Sequence, residues 1–351
     1  MTNRIPQTMR GVQLTAYGDY DKLAIKEDIA LPRLASTDVL IKVLAAGVNN
    51  TDLNTRIGWY AKQDPSDEQS SWSGKTFEFP RIQGADVCGE IVAVGDGVDE
   101  KRIGQRVIIE PCLKEANGQM LDEDWYFGSE CDGGFAQYTK VASRHAYAVN
   151  SSYSDVGLAS FPCSYSTAEN LLTRSQVKAG DKVFITGASG GVGSAAIQLA
   201  KARGAQVWAL TSQSKQQQIL DLGVDGIALR EKSLVEQLGA NSMDVVVDLV
   251  AGDIFPSLLD VLRAKGRYAT SGAIGGAMVE LDVRTLYLKD LSFFGCTVIE
   301  PEVFGNLVRL IEEEKIKPLV AKTFPLEQIV DAQKAFATKQ HVGKLVLEVT
   351  S

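Results

Sequence analysis

Apolar and polar positions alternate in the manner of strands over residues 9–50, where MRGVQLTAY, LAIKEDIALP and DVLIKVLAAGVNN are punctuated by Gly18, Pro32 and Asp38. This predicts a mostly β opening. Residues 81–111 place short apolar runs between glycine turns at Gly95, Gly97 and Gly104, which fits a small β-barrel with glycine corners. Residues 113–130 are polar and read as loop, 133–149 return to strand character, and 156–172 begin a helical connection. The stretch 61–75, AKQDPSDEQSSWSGK, is too hydrophilic for core and too long for a tight turn. It reads as a tolerated surface insertion or, with Trp72 among serines, as a docked lid.

From residue 182 the pattern changes to apolar runs alternating with helical segments. Strands are predicted at 183–186, 206–211, 226–229, 244–250 and 267–271, with helices at 214–222, 233–238 and 255–264 between them. That order is a doubly wound parallel sheet, ended at an edge by a strand over 290–298. A helix over 301–314, a helix over 326–337 and a strand over 344–349 lie beyond it. They are placed back on the first domain, making that domain discontinuous.

The junction between the strand and the helix near residue 190 carries the chemistry. KVFITGASGGVGSAAIQL is a buried strand, a glycine-rich turn and a helix start, and QVWALT follows as the next strand. Glycines there permit a tight turn and bring backbone amides within reach of a pyrophosphate at the positive end of the helix. Position assigns Ser189, Gly190, Gly191, Val192 and Gly193 to that pyrophosphate. NAD enzymes carry an acid at the tip of the second strand to bind the ribose hydroxyls. This chain instead has Thr211, Ser212, Gln213, Ser214 and Lys215, so Ser212 and Lys215 favour the 2′-phosphate of NADPH.

Composition narrows the partners. The chain has 351 residues, 45% hydrophobic and 23% charged, with a formal net charge of -8, which gives no basic footprint for nucleic acid or an anionic membrane surface. No apolar run is long enough to span a bilayer, and the cytoplasm is the expected compartment. Five cysteines without CxxC spacing read as reduced thiols.

The order GVNNTD, GADVCGEIVAVG, GQRVII, DGGFAQY, AGDKVFITGASGGVGSAAIQLAKARGA, GRYATSGAIGG and GKLVLEV resembles the medium-chain dehydrogenase/reductase superfamily over nearly the whole chain. It is most similar to the zinc-independent quinone oxidoreductase, zeta-crystallin-like branch. The resemblance implies an α/β fold in which a GroES-like β-barrel catalytic domain (1–160 and 300–351) is joined to a Rossmann doubly wound parallel sheet (161–299), with the active site in the cleft between them. Where zinc-binding members carry ligands, this chain has Asn49, Ala85 and Cys163, with Asp86 at a neighbouring acidic position; one thiol does not hold a catalytic zinc, and no metal is expected.

The same resemblance assigns Asn49 to the substrate carbonyl, as an amide donor, and Tyr60 to the nicotinamide side of the cleft, as a donor or a wall. It gives Thr167 and Lys344 to the cofactor phosphates and Lys215 to the 2′-phosphate. Ser271, Gly272 and Ala273 end a strand facing the nicotinamide, and Arg56 is expected to pair with Asp52. Asn54 departs from the tyrosine common in the family. The function implied is hydride transfer from NADPH to a quinone or an α,β-unsaturated carbonyl. The alternatives are an alcohol dehydrogenase-like enzyme and a nucleotide-binding protein with little turnover. The apolar edge strand predicts a homodimer or homotetramer.

Overall fold

A computed structural model of the chain describes residues 5–60 and 71–349. Most of the predicted insertion, residues 61–70, lies outside the described residues. The chain forms two compact units, one comprising Met1–Cys163, Val320–Gln340 and Lys344–Ser351, the other Ser164–Leu319 with His341–Gly343.

The first unit begins with β1 (Thr8–Leu14), β2 (Leu23–Ala30), β3 (Asp38–Val48), α1 (Asn50–Arg56), β4 (Arg81–Ile82), β5 (Asp86–Val94), β6 (Arg106–Ile109), β7 (Cys112–Ala116), β8 (Gln119–Tyr126), β9 (Tyr138–Ala142), β10 (Ala146–Ala148) and α2 (Asp155–Leu158). Helix α3 (Pro162–Arg174) carries the chain over the boundary. The second unit contains β11 (Lys182–Ile185), α4 (Gly191–Ala202), β12 (Gln206–Thr211), α5 (Gln216–Leu220), β13 (Gly226–Leu229), α6 (Leu234–Leu238), β14 (Met243–Asp248), α7 (Phe255–Val261), β15 (Leu262–Thr270), α8 (Val283–Leu288), β16 (Ser292–Gly295) and α9 (Val303–Glu312). The first unit then resumes with β17 (Val320–Pro325), α10 (Ile329–Ala337) and β18 (Lys344–Glu348).

In the first unit β3 is the axis of the main sheet, ordered β10-β6-β5-β3-β18-β17, with β9 also on β3. Its residues are nearly all buried because strands pack on it from both directions. The β3–β5 register shifts twice, and such bulges bend a strand and increase its twist. The resulting core draws Val39, Ile41 and Val43 together with Val107, Ile109 and Phe135.

The region expected as loop over 113–130 is instead the hairpin β7–β8. Asn117 and Gly118 at its tip both have positive φ, 53° and 78°, as an Asn-Gly type I′ turn requires. Its strands carry many polar residues, most of them only partly buried or exposed, which masked the alternation.

The second unit is a six-stranded, wholly parallel sheet ordered β13-β12-β11-β14-β15-β16. The order reverses between β11 and β14, the place where open α/β sheets bind ligands beyond the strand ends. The expected return to the first domain at residue 300 shifts to Val320. Helix α9 belongs to the second unit and buries Val303, Phe304, Leu307, Val308 and Ile311, a stripe at helical spacing.

The hairpin tip generates a direct check. Gly118→Ala, which forces a side chain onto positive φ, should lower stability by about 1 kcal/mol, read as a lower urea midpoint with tertiary probes of the first unit. An unchanged midpoint would contradict the turn assignment.

Candidate functional site

In the second unit, Val183, Phe184 and Ile185 are buried between β12 and β14 and aim the chain at the switch point. Gly187 then turns with φ of 59°, and Gly193 lies so close that a Cβ there would overlap the Gly187 carbonyl oxygen. The glycines are therefore required by the approach of backbone to backbone. They leave Ser189, Gly190, Gly191 and Val192 partly or fully exposed at the N-terminus of α4. This cradle fits the pyrophosphate of a nicotinamide dinucleotide.

A buried carboxylate holds the cradle in place. Asp248, at the end of β14, accepts from the Thr186 hydroxyl at 2.5 Å, the Tyr268 phenol at 2.6 Å and the Val250 amide at 3.0 Å. The Thr186 hydroxyl accepts in turn from the Leu249 amide at 2.9 Å. Burial and the Asp248 charge raise the Tyr268 pKa, so the phenol stays a donor. This lock escaped the sequence reading, since no spacing rule joins Thr186, Asp248 and Tyr268. Ser271, Gly272 and Ala273 follow β15 half-buried, and the Gly275 amide donates to the Val250 carbonyl at 2.7 Å, which brings that loop beside the lock. Thr167 is half-buried on α3.

At the tip of β12, Lys215 Nζ donates to Ser189 Oγ at 3.2 Å and to the His341 carbonyl at 3.1 Å. Ser212 Oγ lies 3.0 Å from Ser214 Oγ. Burial, then the charge of Arg230, lowers the Lys215 pKa. Arg230, which follows β13, was missed in the sequence. Its signal is a cation directly after the strand neighbouring β12.

In the first unit the starts of β5 and β18 meet the end of β3, with Gly47 opposite Asp86 and Val48 opposite Leu345. Asp86 is wholly buried. Its Oδ2 accepts from Lys344 Nζ at 2.8 Å and Asn49 Nδ2 at 2.8 Å, while Oδ1 accepts from the Cys163 amide at 2.5 Å. Lys344 also donates to Asn49 Oδ1. A side chain at Gly47 would overlap Asp86 Oδ2, so the glycine is needed for this approach.

Three expectations change here. The Lys344 ammonium, assigned to the cofactor phosphates, is buried against Asp86 and Asn49. The Asn49 amide, assigned to the substrate carbonyl, spends its N–H groups on Asp86 and, at 3.4 Å, the Gly47 carbonyl. Arg56, expected on Asp52, donates to Gln333 Oε1 at 2.9 Å and to the Gly18 carbonyl at 2.6 Å. Asp52 instead accepts from the Asn49 backbone N–H at 2.7 Å, and burial pushes its pKa up to about 7 despite that bond.

Cys163 lies beside this network. Its Sγ is 3.0 Å from the Tyr126 hydroxyl, and burial pushes its pKa up to about 12. Trp72 docks over the pair, its ring 4.9 Å from that of Tyr126, and Ala85 completes the cluster. A single protonated thiol and a carboxylate already neutralised by lysine do not fit a zinc ion. Among the described residues no group of three His, Cys, Asp or Glu could hold a metal. Tyr60 donates to Thr51 Oγ1 at 3.0 Å, and burial raises its pKa.

Residues 35–151 match the alcohol dehydrogenase GroES-like domain family, 222–347 the zinc-binding dehydrogenase family and 183–258 the NAD dependent epimerase/dehydratase family. The chain is similar to an acryloyl-coenzyme A reductase of Metallosphaera sedula, 30% identical over 327 residues that cover 90% of this chain and 93% of that protein. It is similar to the human quinone oxidoreductase, 28% identical with 97% of each chain covered. A solved structure from Sinorhizobium meliloti 1021 that carries an alcohol dehydrogenase designation superposes with a TM-score of 0.93 at 44% identity, covering 99% of this chain and 98% of that one.

The Asp52 environment has a definite pH signature. The folded chain holds its proton to about pH 7, whereas an unfolded aspartate releases it near pH ~3.9. The stabilisation is complete below that lower value and is lost as the pH rises through about 7. Asp52→Asn should flatten the fall in stability between about pH 4 and 7, measured as urea midpoints. A variant with the wild-type pH slope would contradict the assignment.

Proposed function

The chain belongs to the medium-chain dehydrogenase/reductase superfamily, on its quinone oxidoreductase-like branch, and we propose that it is a zinc-independent, NADPH-dependent reductase of quinones or α,β-unsaturated carbonyl compounds. The observation that carries this reading is the tip of β12, where residues 211–215 include Lys215 and no acid of the kind a ribose diol would favour, with Arg230 after β13 close enough to lower the Lys215 pKa. The amides of 189–193 hold the pyrophosphate, Lys215, Ser212 and Arg230 the 2′-phosphate, and the 271–273 backbone the carboxamide, with Thr167 supporting the phosphate end.

The bound nicotinamide supplies a hydride. A zinc-free donor set offers no Lewis acid to carry an alcohol to its alkoxide, which favours reduction of an activated acceptor. Tyr60 is proposed to wall the substrate, its phenol directed by Thr51. Asn49 acts by position, held by Lys344 and Asp86 at the start of α1. The designation of the Sinorhizobium structure favours a second reading, oxidation of small alcohols. NADPH consumption with a panel of quinones and enones, set against NAD(P)⁺ reduction with alcohols, separates the two.

No helix among the described residues is long and apolar enough to cross a membrane. Exposed apolar residues do gather at one sheet edge, with Met278, Tyr287, Leu288, Phe293 and Val298 on or near β16. We propose that two copies pair there, joining their β16 edges in a homodimer that two-fold symmetry allows to build into a tetramer.

Lys215→Ala should weaken NADPH binding about tenfold or more while changing NADH binding by less than about threefold, in fluorescence titrations. Equal losses would remove the basis for NADPH. Phe293→Glu should convert the assembly to monomer in sedimentation equilibrium. A wild-type chain that sediments as monomer would refute the pairing.

A further inference from the structure

The first unit contains a buried cation of its own beside Asn49 and Cys163, two of the positions at which zinc-binding members of the superfamily carry ligands. Asp86, Asn49 and Cys163 converge in the interior, each nine-tenths or more buried, which is the kind of oxygen and sulfur neighbourhood that takes up a divalent ion. Lys344 is equally buried and sits among them, 2.8 Å from Asp86 Oδ2 and bonded to Asn49 Oδ1. We infer that the Lys344 ammonium is a resident cation which occupies the charge position of a metal, closes this site to divalent ions and fixes the orientation of Asn49. The inference rests on the zinc-independent reading and adds its cause.

Charge and hydrogen bonding both support it. Asp86 and Lys344 form a neutral pair, so the Asp86 carboxylate is already compensated and offers an incoming ion no unmet charge. To bind Asp86 a metal would have to displace the ammonium, leaving a lysine charge buried without its carboxylate, which is strongly unfavourable. Asp86 has no idle oxygen, since Oδ1 takes the Cys163 amide and Oδ2 takes both Lys344 and Asn49. The Asn49 amide is also set by the lysine. Its oxygen faces a donor and its nitrogen faces an acceptor, so a flipped amide would oppose like groups at both ends. Lys344 is thus a positioning residue, acting through Asn49 and Asp86. On the other side Cys163 is engaged with Tyr126, so its sulfur also has a partner in the metal-free state.

The test is metal uptake, which needs no turnover and no substrate. Purified full-length protein is equilibrated with Co²⁺, passed over a chelating resin and assayed for retained metal and for thiolate-to-cobalt charge-transfer absorption. Wild type and Asn49→Cys, which adds a second thiol but keeps the lysine, should both remain metal-free. Asn49→Cys/Lys344→Met should bind Co²⁺ at least about tenfold more tightly than Asn49→Cys and show the charge-transfer band. Because that variant leaves Asp86 without its cation, Asn49→Cys/Asp86→Asn/Lys344→Met, which buries no unpaired charge, makes the same comparison without that penalty, and it too should bind.

Tight cobalt binding by Asn49→Cys with Lys344 in place would overturn the inference. Folded variants that lack the lysine and still take up no metal would overturn it as well, while leaving the zinc-independent reading intact. Zinc held by the wild type would defeat both.

Discussion

A carboxylate removed from water must be met by donors, and in the first unit that requirement is concentrated on Asp86. It collects a lysine from the start of β18, an amide side chain from the end of β3 and a backbone amide from the start of α3. Breaking such a pair by removing one partner typically costs about 3–5 kcal/mol, because the other charge is left buried. Gly47 must stay without a side chain, and Asn49 can take only one amide orientation. The geometry of the strand ends follows from satisfying one group.

The second unit repeats the device with a different donor set. Asp248 takes hydroxyls from β11 and β15 and an amide from the loop after β14, and so ties three strands together at the reversal point of the sheet. The glycine loop supplies the amides that would face a phosphate, but this buried carboxylate and its donors fix where the loop leaves the sheet. In both units, then, a buried acid fixes the geometry of the residues around it.

Much of this architecture was readable in the chain. The glycine cradle, the βαβ order and the discontinuous β domain follow from patterns that extend over tens of residues, where periodicity is strong. The β7–β8 hairpin was hidden because its polar-rich strands show little apolar alternation, although Asn117–Gly118 was a usable turn signal. Helix α9 was assigned to the wrong side, since an apolar stripe states that a helix is covered without stating by what. Lys344, Asn49 and Arg56 were given partners by analogy or by helical spacing, whereas their actual partners are distant in sequence. Lys344 and Asp86 stand 258 positions apart and meet through topology alone, a relation that only strand register reveals.

The place of β18 also has a consequence for biosynthesis. It lies between β3 and β17 in the sheet, yet it follows the entire second unit in the chain. During translation the β3–β5 pair emerges with Asp86 and without its cation, and the sheet lacks an interior strand until the ribosome has passed through the parallel domain. The second unit can close as soon as α9 is made, while the first waits with an open edge and an uncompensated acid. Order of completion thus differs from order of synthesis: the unit that contains β1–β10 closes only after the one made later.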